Sequence, residues 1–195
     1  MPHTVIYVPG LGDNHYKGQQ LLISSWRLWG VRSLMVRMIW HDGEPFQAKF
    51  DRLTATIDQL HAKGHRVSLV GASAGAGAVI NAFAARKDKV SGVVLIAGWV
   101  NFPENIGPGY RRSNAAFVES AYAVQPSLDK LSFETDRFRI LSRYAAVDPV
   151  VSQKYSEVAG AHNKIVPTVG HSVTIATQLL FGAPTFLRFL KRLQK

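Results

Sequence analysis

The segment Gly71-Ala72-Ser73-Ala74-Gly75, directly behind the apolar run Val67-Ser68-Leu69-Val70, constrains this chain more than any other stretch. It reads G-x-S-x-G at a strand-to-helix junction, an arrangement that lifts a serine hydroxyl out of a sheet. A turn that tight needs glycine on both sides of the serine, because a Cβ there would meet neighbouring main chain. Alanines at 72, 74 and 76, with Gly77, keep the turn and the helix start uncrowded. The bare pattern recurs by chance in roughly one chain in fifteen of this length, so the context has to decide.

That context is an alternation of β-rich runs and helical patterns along the whole chain, which calls for a parallel sheet covered by helices. Strands are expected near 4–8, 33–39, 66–70, 90–97, 137–144 and 164–168. Between them, Leu22, Trp26 and Trp29 share one face of a first helix. Phe46, Phe50, Leu53, Ile57 and Leu60 follow the helical period closely, with Pro45 suited to a first turn. A third helix should run from about Ala74 to Arg86, and a last one should restart after Gly182-Ala183-Pro184. The fold class is therefore α/β, a three-layer α/β/α sandwich with a mainly parallel sheet of about six strands. Residues 1–195 are expected to form a single domain. Residues 99–130 break the alternation with Trp99, Phe102, Tyr110, Phe117 and Tyr122 among prolines and glycines. They read as an insertion near the active site.

Composition narrows the function classes. The net charge of +10 is spread along the chain, densest at Arg188, Lys191, Arg192 and Lys195 on an apolar helical pattern. This is a solvated helix face, and no nucleic-acid partner is expected. No apolar run approaches the roughly 18–20 residues that span a bilayer. The start Met1-Pro2-His3-Thr4 passes straight into Val5-Ile6-Tyr7-Val8 without a basic or cleavable stretch. With no cysteine to form disulfides or act as a thiol, the expected setting is cytoplasmic. No cluster of His, Asp and Glu shows ligand spacing, so neither metal nor cofactor is expected. Phosphate cradles do not fit either. His15 stands where G-x-G-x-x-G needs a small residue, and no Lys-Ser/Thr follows Gly77.

A serine needs a histidine to take its proton, a carboxylate to orient the histidine, and donors for an oxyanion. His171 follows the last expected strand and so shares the carboxyl edge of the sheet with Ser73. His61, His65, His162 and His3 fall at strand starts, which leaves His15 and His41 as its only rivals. Asp148, just beyond the strand around Phe138–Leu141, is the carboxylate at that edge between serine and histidine. The oxyanion donors would be the backbone N–H of Ala74 and that of Leu11, in the loop Val8-Pro9-Gly10-Leu11-Gly12-Asp13-Asn14. Trp99 and Phe102, facing Leu11 and Val150, are the candidate substrate-binding residues.

Motif order, spacing and strand context resemble the α/β-hydrolase superfamily over nearly the whole chain. Pro9-Gly10-Leu11-Gly12 is similar to its oxyanion loop, Gly71-Ala72-Ser73-Ala74-Gly75 to its nucleophile elbow, and Asp148 and His171 to its acid and base. In size the chain is similar to the small single-domain serine hydrolases of the retinoblastoma-binding-hydrolase type. It departs in lacking the family's N-terminal antiparallel strands, and in having Pro9-Gly10 where His-Gly often opens the loop. The resemblance implies a serine hydrolase acting on a small-molecule ester, thioester or amide through an acyl-enzyme. The alternative is a hydrolase-fold binding or regulatory protein without turnover.

Overall fold

A computed structural model describes residues 1–12 and 16–193. Among these, the aliphatic runs become six strands: β1 His3–Val8, β2 Arg32–Met35, β3 Arg66–Ala72, β4 Val90–Ile96, β5 Ile140–Val147 and β6 His162–Val169. All neighbours pair in parallel, in the order β2-β1-β3-β4-β5-β6. Strands β1, β3 and β4 are buried on both faces, which is why their sequences are near-continuous apolar runs rather than alternating ones. Outermost β6 is mostly exposed and carries Pro167, a residue without the N–H that a further ladder needs.

Helices cover both faces. One face of the sheet, through Ile6, Val8, Leu69 and Val93, packs against α2 Phe46–Ala62, α3 Gly75–Ala85, α5 Ala115–Tyr122 and α6 Val124–Leu128. The other, through Val5, Tyr7, Val70 and Ile96, packs against α1 Tyr16–Ser24, α8 His171–Leu180 and α9 Ala183–Arg192. Two short helices, α4 Pro108–Ser113 and α7 Gln153–Ser156, lie in connections. Chain order reverses between β1 and β3, so their carboxyl ends flank the crevice where ligands bind in open sheets of this kind. Both glycine turns named above leave from those two ends. No single described helix is long and apolar enough to cross a membrane.

Two local expectations change. The strand expected over 33–39 stops at Met35. The chain leaves the ladder there, reaches φ +50 at Ile39, and drops Trp40 into the core, where it is 1% exposed. The fully buried Lys49 ammonium holds that bend, donating to the Ile39 carbonyl and pairing with Asp42 at 2.5 Å. The first helix also ends early, at Ser24, and a 3-10 turn, Ser25–Trp29, follows. Trp26 is buried there and donates to the Leu179 carbonyl, whereas Trp29, last before the Gly30 turn, is 42% exposed.

Candidate active site

Strand β3 delivers Ser73 one residue beyond its end, and the serine adopts φ +51, a left-handed conformation that non-glycine residues rarely hold. Neighbouring structure over-determines it. The Ser73 N–H donates to the Ile96 carbonyl at 2.9 Å, and the Ser73 carbonyl accepts from Ala76 at 3.0 Å. Gly71 and Gly75 are required by close approach. A Cβ on Gly71 would sit 2.5 Å from the Gly75 carbonyl oxygen, and one on Gly75 would overlap the Val8 carbonyl of β1. A Cβ on Gly10 would lie 2.7 Å from the Ser73 Cβ, so the loop after β1 presses directly against the serine.

His171 opens α8 behind Gly170, whose N–H donates to Val147 and ties this loop to the end of β5. Its Nε2 lies 2.9 Å from Ser73 Oγ, and its Nδ1 lies 2.8 Å from Asp148 Oδ2. The other oxygen, Asp148 Oδ1, accepts the Val150 and Val151 N–H groups at 2.8 and 2.9 Å. An ionised carboxylate only accepts, so Nδ1 carries the imidazole proton, and Nε2 is left with a lone pair for the serine hydroxyl. The Asp148 side chain is 1% exposed, which shields this pairing from water.

The structure thus brings Ser73, His171 and Asp148 into one hydrogen-bonded chain. Of the rival histidines, His41 is exposed, and His15 lies outside the described residues, as do Asp13 and Asn14 of the same loop. Ala74 and Leu11 flank the serine from the two glycine turns, and their N–H groups have no acceptor among the described residues. The Trp40 indole N–H donates to the Pro9 carbonyl at 3.2 Å and anchors the loop that carries Leu11.

A cavity of about 340 Å³ opens at Ser73 and His171. Leu11, Trp99 and Val150 line it; Phe102 does not. This corrects the expectation for Phe102. At φ +53 it turns the chain into the 3-10 segment Pro103–Asn105, and its ring rests edge-on against Tyr155, 48% exposed. Ile106, Tyr110 and Phe117 take the wall position instead. Ser172, Ile175, Ala176 and Leu179 add a stripe of α8 whose helical spacing was readable behind His171. Tyr7, Gln19 and Leu22 join from the far side of the sheet, and nothing in their local sequence marks them. Among the described residues, no Lys, Arg, Asp or Glu lines the cavity despite the basic chain. Among the described residues no group of three His, Cys, Asp or Glu is placed to hold a metal ion.

No family model and no curated protein matches the sequence. Solved structures do match in fold. One of two metagenome-derived lipolytic enzymes, LipS and LipT, superposes with a TM-score of 0.73 at 9% identity, covering 98% of this chain and 94% of that one. Est1E from Butyrivibrio proteoclasticus gives a TM-score of 0.71 at 14% identity, over 98% of this chain and 89% of the other. The monoacylglycerol lipase of Paleococcus ferrophilus gives 0.62 at 14% identity, over 100% and 96%. The chain has the α/β-hydrolase fold.

Proposed function

We propose that the protein is a serine hydrolase that cleaves an ester-type bond through an acyl-enzyme on Ser73. The hydrogen-bonded chain Ser73–His171–Asp148, opening onto an apolar cavity, carries the proposal. Ser73 Oγ attacks the substrate carbonyl carbon while its proton passes to His171 Nε2. The oxyanion that forms is met by the N–H groups of Leu11 and Ala74, the second at a helix start where the backbone dipole favours negative charge. Collapse expels the leaving group, which takes the proton from His171. Water then gives a proton to the same nitrogen and its oxygen to the acyl carbon, and the product acid departs as Ser73 is restored. Asp148 holds the productive tautomer and balances the imidazolium.

A described lining without Lys, Arg, Asp or Glu supports neutral, carbon-rich substrates, since an ion would lose its hydration there without a partner. The lipolytic and monoacylglycerol lipase descriptions of proteins with this fold support an ester before a thioester or amide. The reading takes residues 1–195 as one hydrolase domain with 99–130 as a pocket wall, small like the retinoblastoma-binding type. The cysteine-free composition supports a cytoplasmic setting. Labelling with a fluorophosphonate probe, beside a chain-length series of 4-nitrophenyl esters, tests it. The wild type should label and turn over at least one ester. A protein that does neither is a binding module with a hydrolase fold. Within that series, Trp99→Ala should change the discrimination between chain lengths by roughly 1–3 kcal/mol, and Phe102→Ala should leave the profile in place.

A further inference from the structure

The cavity has two sides of different chemistry. Beneath residues 99–130 it meets Ile106 and Phe117, with Tyr110 and Trp99, whose buried indole N–H has no partner among the described residues. Across the sheet edge, between α1 and α8, it passes Leu22 and Leu179 and reaches Tyr7 and Gln19. The Tyr7 hydroxyl donates to Gln19 Oε1 at 2.6 Å. Burial pushes the Tyr7 phenol far above its ordinary range, so it keeps its proton, and that buried proton needs an acceptor. This orients the amide, because the reversed amide would leave the phenol proton stranded. Gln19 Nε2 then holds two N–H bonds that no described residue accepts, on a half-buried side chain lining the cavity.

An amide donor beside Leu22 and Leu179 favours a ligand that brings an acceptor. With no Lys or Arg among the described lining residues to pair with an anion, that acceptor is neutral. We infer that Gln19 is a specificity-determining residue: the part of the substrate lodged between α1 and α8 carries a ketone, ether or ester oxygen, to which Gln19 Nε2 donates. Tyr7 acts through Gln19 as a positioning residue. The inference rests on the hydrolase reading for the identity of the substrate, not for the binding of the acceptor.

The test walks one oxo group along the acyl or alcohol chain of 4-nitrophenyl and alkyl esters, each compared with its methylene parent. In the wild type one position should raise kcat/KM about five- to tenfold. The oxo-to-parent ratio should fall to about one in Gln19→Leu, and below one in Gln19→Glu, which presents acceptors only. Tyr7→Phe should lower the ratio part of the way, through KM rather than kcat. Because ratios are compared within each variant, a general loss of stability does not imitate the result. The same ligands, bound to Ser73→Ala and followed by thermal shift, need no turnover. A Gln19-dependent oxo preference there supports the site even if the wild type hydrolyses nothing, an outcome that sinks only the hydrolase reading. No oxo preference at any position, or one that survives Gln19→Leu, overturns the inference while leaving hydrolysis intact.

Discussion

Two serine–histidine hydrogen bonds of equal length occur at opposite ends of the same sheet, and their surroundings differ. At the carboxyl edge Ser73 meets His171 at 2.9 Å; at the amino edge Ser68 meets His3 at 2.9 Å. Ser68 is 0% exposed within strand β3, in ordinary extended backbone, whereas Ser73 is thrown outward at φ +51. His171 has Asp148 on its second nitrogen, while His3 Nδ1 is buried with no partner among the described residues. Burial, reinforced by Arg66 and Lys191, lowers the His3 pKa to about 4, so it stays neutral and a poor proton acceptor. Contact between the two side chains is thus the lesser requirement. Under the proposed function, an orienting carboxylate, a lifted hydroxyl and N–H donors with no acceptor among the described residues separate the reacting pair from the packed one.

The largest expected effect breaks the comparison outright. Ser73→Ala should abolish fluorophosphonate labelling and lower kcat by roughly 10⁵–10⁶, with His171→Ala about as damaging, and Ser68→Ala should label like wild type. Labelling that persists in Ser73→Ala and vanishes in Ser68→Ala would reverse the assignment. Next comes the carboxylate. Asp148→Asn keeps an oxygen for the Val150 and Val151 amides but no longer fixes the imidazole tautomer, so kcat should drop by about 10³–10⁴ with little change in melting temperature. A loss of the same size after any change at His3 would remove the distinction drawn above.

The amino-edge pair should reveal itself in stability instead. Between pH 6.5 and about 4 the unfolded chain binds a proton that folded His3 refuses. Stability from this group is therefore full above pH 6.5 and falls as pH drops toward 4, by roughly 2–3 kcal/mol. Denaturant titrations over that range should show a shallower pH slope for His3→Asn than for wild type; equal slopes would remove His3 as the cause. The smallest effect sharpens what surrounds Ser73. Trp40→Phe keeps the packing against Phe46 and Phe117 but loses the N–H that holds Pro9, so kcat should fall about tenfold with KM within twofold. A rise in KM alone would assign Trp40 to substrate binding rather than to the oxyanion loop.

Much of the carboxyl edge was legible because its signals are local. Glycine at 71 and 75 is demanded by a turn that any observer can see in the chain. A strand followed by His171 or Asp148 places each side chain at an edge by the direction of a parallel strand alone. The wall of the cavity was less legible. Phe102 and Phe117 look alike as aromatics in a turn-rich segment, yet Phe117 lines the cavity while Phe102, at φ +53, lies against Tyr155. The end of β2 at Met35 differs from the expected 33–39 for a related reason. Val36, Met38 and Ile39 continue a strand pattern, yet Trp40 has a better place in the core than in the ladder.

What the chain determines alone is the alternation of strand and helix, the strained serine turn, and the edge at which its partners emerge. Each follows from short-range sterics and from the two periodicities of side-chain direction. Tertiary structure decided which groups meet across the sheet: the Trp40 grip on Pro9, the Tyr7–Gln19 pair under α1, and the difference between Ser73–His171 and Ser68–His3. The physical reason is distance along the chain. Such contacts join segments whose local sequences carry no record of one another, and only the packing of layers brings them within a hydrogen bond.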